Sequence, residues 1–171
     1  MELIVFDLDV TLLDTAPDLA DALNAVLVEN RREPRPDGEI RGVVSHGGMA
    51  LIRLGFGIEP DDPDFEPLRQ RLLDIYRANI ANRTRPFPGM AELLDELERR
   101  GLNWGVVTNK PGWLTDPLLK QLAEAEYPVL YAGVAMLADQ AHTLKYRCHS
   151  LHRSCCGEAP GYAQGAPICG H

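Results

Sequence analysis

Cysteine is missing from the first 147 residues of this 171-residue chain, and histidine occurs there only at His46 and His142. Neither a disulfide framework nor a Cys/His zinc module can therefore organise the main body. Long apolar runs are lacking too, and none approaches the roughly 20 residues that a membrane-spanning helix needs. The amino terminus has no basic, then apolar, then small-residue order of a secretion signal. Positive charge is in deficit, with 17 Lys and Arg against 25 Asp and Glu and a net charge of -8. Such a surface disfavours nucleic acid and anionic membranes as partners. It leaves room for a small phosphorylated metabolite, because a bound cation can reverse the local field. A soluble, cytoplasmic protein is expected.

What is present suits a globular domain: 45% of residues are hydrophobic and 25% charged, enough to bury a core. Leu3-Ile4-Val5-Phe6 is an unbroken apolar run ending in charge at Asp7, the pattern of a strand buried on both faces. Thr15 and Asp18 read as a helix-capping pair with Pro17 in the first turn, followed by Leu19, Leu23, Val26 and Leu27 at helical spacing. The stretch holding Gly42, Gly47, Gly48, Gly55 and Gly57 reads as loop-rich, with room for one short helix. Phe65, Leu68, Leu72 and Ile75 give another amphipathic helix. After Pro88-Gly89 the layout alternates again. A helix over Met90 to Leu97 is capped by Gly101, a buried strand spans Leu102 to Thr108, a helix begins near Trp113, and a strand lies within Tyr127 to Ala138. A strand, a long helical stretch, then alternating helix and strand imply a doubly wound parallel-sheet α/β core, Rossmann-like, carrying an inserted helical subdomain.

Ligands in open α/β sheets bind at the carboxyl ends of strands, and the first strand ends at Asp7-Leu8-Asp9-Val10-Thr11. Two acids one residue apart can reach one divalent cation and one phosphate, since magnesium takes one or two carboxylates plus substrate oxygens. One acid can attack phosphorus and the other can exchange a proton with leaving group and water. A D-x-D alone is common, and the plainer reading is a pair of acids capping a turn.

Three stretches together resemble the haloacid dehalogenase superfamily, in its phosphoglycolate phosphatase-like branch: Ile4 to Thr15 (IVFDLDVTLLDT), Phe87-Pro88-Gly89, and Gly105 to Pro111 (GVVTNKP). The resemblance covers about residues 3 to 122. It implies a magnesium-dependent phosphomonoester hydrolase working through an aspartyl phosphate, with Asp7 as nucleophile and Asp9 as general acid and base. Both would hold Mg2+, Asp7 by its side chain and Asp9 by its backbone carbonyl. Thr108, with Asn109 beside it, matches the hydroxyl residue that binds the transferring phosphoryl group. The insertion matches the branch's helical cap, where Arg41, Ser45, His46 and Gly47, together with Gly48, form a polar segment suited to touching substrate. The implied division is a core at 1–14 and 88–138, a cap at 15–87 and a Cys/His-rich tail at 139–171.

Two departures stand out. The branch usually has Gly where this chain has Val10, and a β-branched residue resists positive φ. The branch also continues with a Lys-Pro segment and then a strand ending in further acids. Here Lys145 is the only lysine after Lys120, and Asp139 is the only aspartate after Asp116. Without a lysine to offset charge at the site, hydrolysis is expected to be weak, so a catalytically impaired remnant stands as an alternative. The tail collects Cys148, Cys155, Cys156 and Cys169 with His149, His152 and His171. Three readings of it stay open: a zinc-binding module, a divergent ending, or translation out of frame after about residue 122 to 130. The abrupt change in composition favours the last.

Overall fold

The computed structural model describes residues 3–125, 127, 134–138 and 144–147, and side-chain surroundings for 4–125 and 127. Strands β1 (Leu3–Asp7), β4 (Asn103–Thr108), β5 (Val134–Ala138) and β6 (Leu144–Arg147) form one sheet in that spatial order. β1 and β5 both pair parallel to β4, whereas β6 runs antiparallel to β5. Helix α6 (Gly112–Ala125) makes the crossover from β4 towards β5, and α5 (Met90–Arg99) precedes and packs on β4. The fold is thus α/β with a parallel sheet and an inserted α-helical layer. β6 falls in the segment read as a Cys/His-rich tail, and all the tail cysteines, with any zinc site, lie outside the described residues.

The insertion is entered and left through a two-stranded ribbon, β2 (Leu13–Asp14) against β3 (Arg85–Pro86). Between them stand α1 (Ala16–Glu29), α2 (Asp37–Arg41), a 3-10 turn at Val44–His46, α3 (Gly47–Phe56) and α4 (Phe65–Ala78). α1 and α4 pack directly on one another, and α3 contacts both. The apolar stripe read in α1 is the buried one: Leu19, Leu23, Val26 and Leu27 join Ile52, Leu72 and Tyr76 in one core. The stretch expected to be loop-rich is mostly helical. Gly55 sits inside α3, where a Cβ would lie 3.0 Å from Leu23 Cδ1 and 3.3 Å from Leu27 Cδ2. It is a close-packing glycine rather than a helix breaker. Gly57 does end α3, at φ 69° with its N–H on the Arg53 carbonyl, as a left-handed residue past a helix end should.

The expectation for β1 needs correction. Ile4 is 37% and Val5 50% exposed. β1 is the end strand of the described sheet, paired on one side only, so an apolar run that reads as doubly buried is left half open.

Candidate active site

Asp7 closes β1 and Thr108 closes the parallel neighbour β4, with Asp7 in register with Val107. The two strand tips therefore lie side by side at the carboxyl edge of the sheet, where α/β folds place their ligands. Beyond Asp7 the chain turns sharply. Leu12 N–H donates to the Asp7 carbonyl at 3.1 Å, Leu13 N–H to the Leu8 carbonyl at 2.9 Å, and Val10 N–H to the Leu13 carbonyl at 2.8 Å. Leu8, Leu12 and Leu13 are wholly buried and pin this loop to the core. With Leu8 turned inward, Asp7 and Asp9 on either side of it are left facing out, as alternation dictates. The turn drives Val10 to φ 62°. The position does demand the left-handed region, which costs an L-residue of this shape roughly 1–2 kcal/mol.

The Asp9 carboxylate is held at one oxygen. Its Oδ1 accepts the Thr15 hydroxyl at 2.7 Å and lies 3.0 Å from the Lys110 ammonium. Thr15 thus serves Asp9 and makes no side-chain cap bond to α1, contrary to the capping pair expected from the sequence. Asp18 is likewise diverted. It is buried and accepts hydrogen bonds from Arg83 N–H (2.8 Å), Thr84 N–H (2.9 Å) and the Thr84 hydroxyl (2.6 Å), clamping α1 to the segment that leads into β3. A side chain aimed at a partner 66 residues away cannot also close a local helix end.

Asp7 is open to solvent, and its carboxylate pairs with no other side chain among the described residues. Partial desolvation lifts its carboxyl above the ordinary carboxylate range. The Leu8 N–H and Lys110 pull it down, and the neighbouring Asp9 charge pushes it up. A carboxylate that is accessible, weakly paired and somewhat more basic than usual suits a nucleophile.

Lys110 is the residue the sequence reading missed. The resemblance places the charge-offsetting lysine beyond Lys120, yet Lys110 lies two residues past the Thr108 strand tip, inside the GVVTNKP stretch. Its N–H donates to Thr108 Oγ1 at 3.1 Å. Its side chain is only 7% exposed and reaches back to Asp9. Because Thr108 Oγ1 is already accepting, its hydroxyl hydrogen is free to donate elsewhere. Asn109 is exposed between them.

The cap residues are placed differently. Arg41, at the end of α2, pairs with Asp14 of β2 at 2.7 Å. Ser45 and His46 stand exposed on the 3-10 turn, and Gly47 opens α3 at φ 76°. Among the described residues no hydrogen bond or ion pair joins Ser45, His46 or Gly47 to the two acids.

The donor set suits a hard cation. Asp7 offers a solvent-open carboxylate, and no hydrogen bond among the described residues reaches the Asp9 carbonyl oxygen. Two oxygens completed by water and substrate match the way magnesium is usually bound. Among the described residues, no group of three or more His, Cys, Asp or Glu forms a fuller cage.

These features can be set beside known proteins. The profile of the haloacid dehalogenase-like hydrolases matches residues 4–138. The chain belongs to that family. It is 42% identical over 126 residues to an N-acetylmuramic acid 6-phosphate phosphatase of Pseudomonas aeruginosa, covering 74% of this chain and 56% of the relative. It is 43% identical over 123 residues to a phosphoglycolate phosphatase of Caulobacter vibrioides, covering 70% and 52%. The chain spans about half the length of these curated relatives. Among solved structures, a predicted phosphoglycolate phosphatase from Haemophilus somnus superposes with TM-score 0.68 at 22% identity, over 85% of this chain and 65% of that one. CbbY from Rhodobacter sphaeroides, solved with phosphate, superposes with TM-score 0.60 at 20% identity, over 84% and 65%. At such identities the superpositions establish the fold alone.

Proposed function

We propose that this chain is a magnesium-dependent phosphomonoester hydrolase acting through an aspartyl phosphate. The observation that carries the reading is the junction of an open carboxylate (Asp7), a held carboxylate (Asp9) and a hydroxyl-bearing strand tip (Thr108) at one edge of the sheet. Its membership of a hydrolase family and the phosphatase names of its relatives support the same reading. The cation, when bound by the Asp7 carboxylate and the Asp9 carbonyl, would offset charge on the phosphoryl oxygens and draw the dianion towards a carboxylate nucleophile.

In the first half-reaction a carboxylate oxygen of Asp7 forms a bond to phosphorus while the ester P–O bond breaks. The departing alkoxide takes a proton from Asp9. Oδ1 of Asp9 already holds Thr15 and Lys110, so Oδ2 is the oxygen that exchanges the proton. The Thr108 hydroxyl, oriented by the Lys110 N–H, donates to a phosphoryl oxygen as charge develops there. In the second half-reaction water attacks phosphorus and gives its proton to Asp9. The Asp7–phosphorus bond breaks, releasing inorganic phosphate and regenerating both carboxyls. The helical cap, bounded by the β2–β3 ribbon, would close over this edge and select the substrate, with Arg41, Ser45, His46 and Gly47 on it.

The relatives' names point to small metabolites bearing both a phosphate and a carboxylate, phosphoglycolate and N-acetylmuramic acid 6-phosphate. We take that class as the substrate class here. The decisive experiment is acid-quenched labelling of the purified chain with a phosphomonoester and Mg2+. A phosphoryl-enzyme that forms in the parent and is lost in Asp7→Asn supports the reading. A folded chain that binds phosphate but never forms the adduct leaves only a phosphate-binding remnant.

A further inference from the structure

Lysine is among the residues least often buried, and an ammonium taken out of water must be paired or it destabilises the fold. Every other ion pair among the described residues leaves both side chains at least 26% exposed. The Lys110–Asp9 pair is the exception, at 7% and 21%. Ordinary surface pairing does not account for it, because surface pairs are held loosely and screened by solvent.

What covers the ammonium is aromatic. The Tyr76 ring of α4 lies with its centroid 4.8 Å from Lys110 Nζ, and Tyr76 itself is wholly buried. A cation over a ring face at that distance is attracted by the ring quadrupole, more so when desolvated. The next residue of the same helix makes a second contact of this kind in the opposite sense. Arg77 sits 5.7 Å over the ring of Trp113, which belongs to α6. Two successive residues of α4 thus meet the β4–α6 segment, one giving a ring and the other a cation. The Tyr76 hydroxyl is buried without a hydrogen-bond partner among the described residues. The ring is the part that serves.

We propose that Lys110 is a positioning residue for Asp9 and that Tyr76, reaching down from the helical insertion, clasps it in place. This rests on the reading above that Asp9 exchanges the proton. Ring, ammonium and carboxylate stack in sequence, with Thr15 fixing the same carboxylate oxygen from the side. The lysine side chain thereby fixes which Asp9 oxygen is free, and its N–H sets the Thr108 hydroxyl. One residue orients both groups that face the phosphoryl group, and a helix of the insertion holds that residue.

Two measurements on the full chain test this. The first needs no turnover: urea unfolding of Tyr76→Leu, Lys110→Met and the double variant, with a parallel cycle pairing Lys110→Met and Asp9→Asn. Each cycle is expected to show coupling of roughly threefold or more in the folding equilibrium. Tyr76→Phe, which keeps the ring, should retain the coupling to Lys110. Strictly additive effects in either cycle overturn the clasp.

The second measurement follows the reaction with an aryl phosphate, whose good leaving group needs no acid. Asp9 is then required only as base towards water. Lys110→Met should lower kcat roughly tenfold or more and KM with it, leaving kcat/KM little changed, and phosphoryl-enzyme should accumulate in the steady state. Lys110→Arg should recover part of the loss. Unchanged kcat and adduct level in Lys110→Met defeat the positioning role even if the chain is a phosphatase. If the parent forms no adduct, the phosphatase reading fails, and the unfolding cycles alone decide whether the stack exists.

Discussion

Arg41 Nη2 lies 2.7 Å from Oδ2 of Asp14, tying helix α2 of the insertion to the first strand of the ribbon through which the chain leaves the sheet. The hydrogen bond to Asp14 is the chief reason the Arg41 guanidinium is held above its ordinary range. Among the described residues the other carboxylate oxygen of Asp14 is buried with no hydrogen-bond partner, and the arginine is the only side chain that satisfies this acid. Only Nη2 is engaged, so Arg41 acts as a brace in this arrangement while its remaining donors stay open to solvent.

Arg41→Ala should therefore destabilise the chain by no more than about 1 kcal/mol, the size expected of a half-exposed pair. A shift of the urea midpoint checks this. The same variant discriminates the two roles: a brace lowers stability and leaves KM alone, whereas a substrate contact raises KM several-fold.

Val10 directly follows the second acid, Asp9, in the turn beyond β1. At φ 62° it occupies a region that glycine enters freely and valine does not. Val10→Gly should relieve about 1–2 kcal/mol of strain. Added freedom in the unfolded chain takes back roughly 0.5–1 kcal/mol, and the partly buried valine side chain gives up some packing against the core. The expected net effect is a gain of up to about 1 kcal/mol in urea unfolding. A loss of stability would show that packing outweighs backbone strain here.

How much of this was legible in the sequence depends on the distance over which each residue acts. The Asp7-Leu8-Asp9 turn is local: an apolar run stops, acids alternate with a buried leucine, and the strand tip follows. Helices α4 and α5 are equally local, their stripes written in Leu72, Ile75, Leu94 and Leu97. Lys110 was not legible, because its meaning lies in Asp9, about a hundred residues earlier, and in a tyrosine from another layer. Nothing in the spacing of Thr108, Asn109 and Lys110 shows which way a lysine side chain turns. Thr15 and Asp18 failed for the same reason in reverse: two residues with a good local use were taken by distant partners. The glycines around α3 misled because glycine marks both loops and close helix contacts, and only the neighbour across the contact distinguishes them.

Gly55 gives that distinction a number. Alanine is favoured over glycine by about 1 kcal/mol inside a helix, but a Cβ here meets Leu23 at 3.0 Å and Leu27 at 3.3 Å. Overpacking costs typically 1–3 kcal/mol. Gly55→Val, with two further methyl groups and only a few tenths of a kcal/mol of propensity gain to offset them, should lose about 2 kcal/mol or more, and Gly55→Ala should fall between valine and the parent. Both are read from urea midpoints. Stabilisation by valine would mean that α1 and α3 can separate freely.

Asp18 is the buried acid on which the return of the insertion to the core depends. Its two oxygens take three donors, two of them backbone N–H groups that have no other acceptor among the described residues. Asp18→Ala leaves those donors and the Thr84 hydroxyl unsatisfied. Thr84 is fully buried, so water cannot simply replace the lost acceptor. The expected loss is about 3 kcal/mol, as for breaking one side of a buried charged network. Asp18→Asn keeps one acceptor oxygen, but its amide NH2 faces the donors the other oxygen served, so its loss should be nearly as large. If Asp18→Ala instead unfolds at the parent's urea midpoint, the three hydrogen bonds do not hold α1 against the β3 approach. The ribbon between insertion and sheet would then have to be stabilised by the α1–α4 core alone.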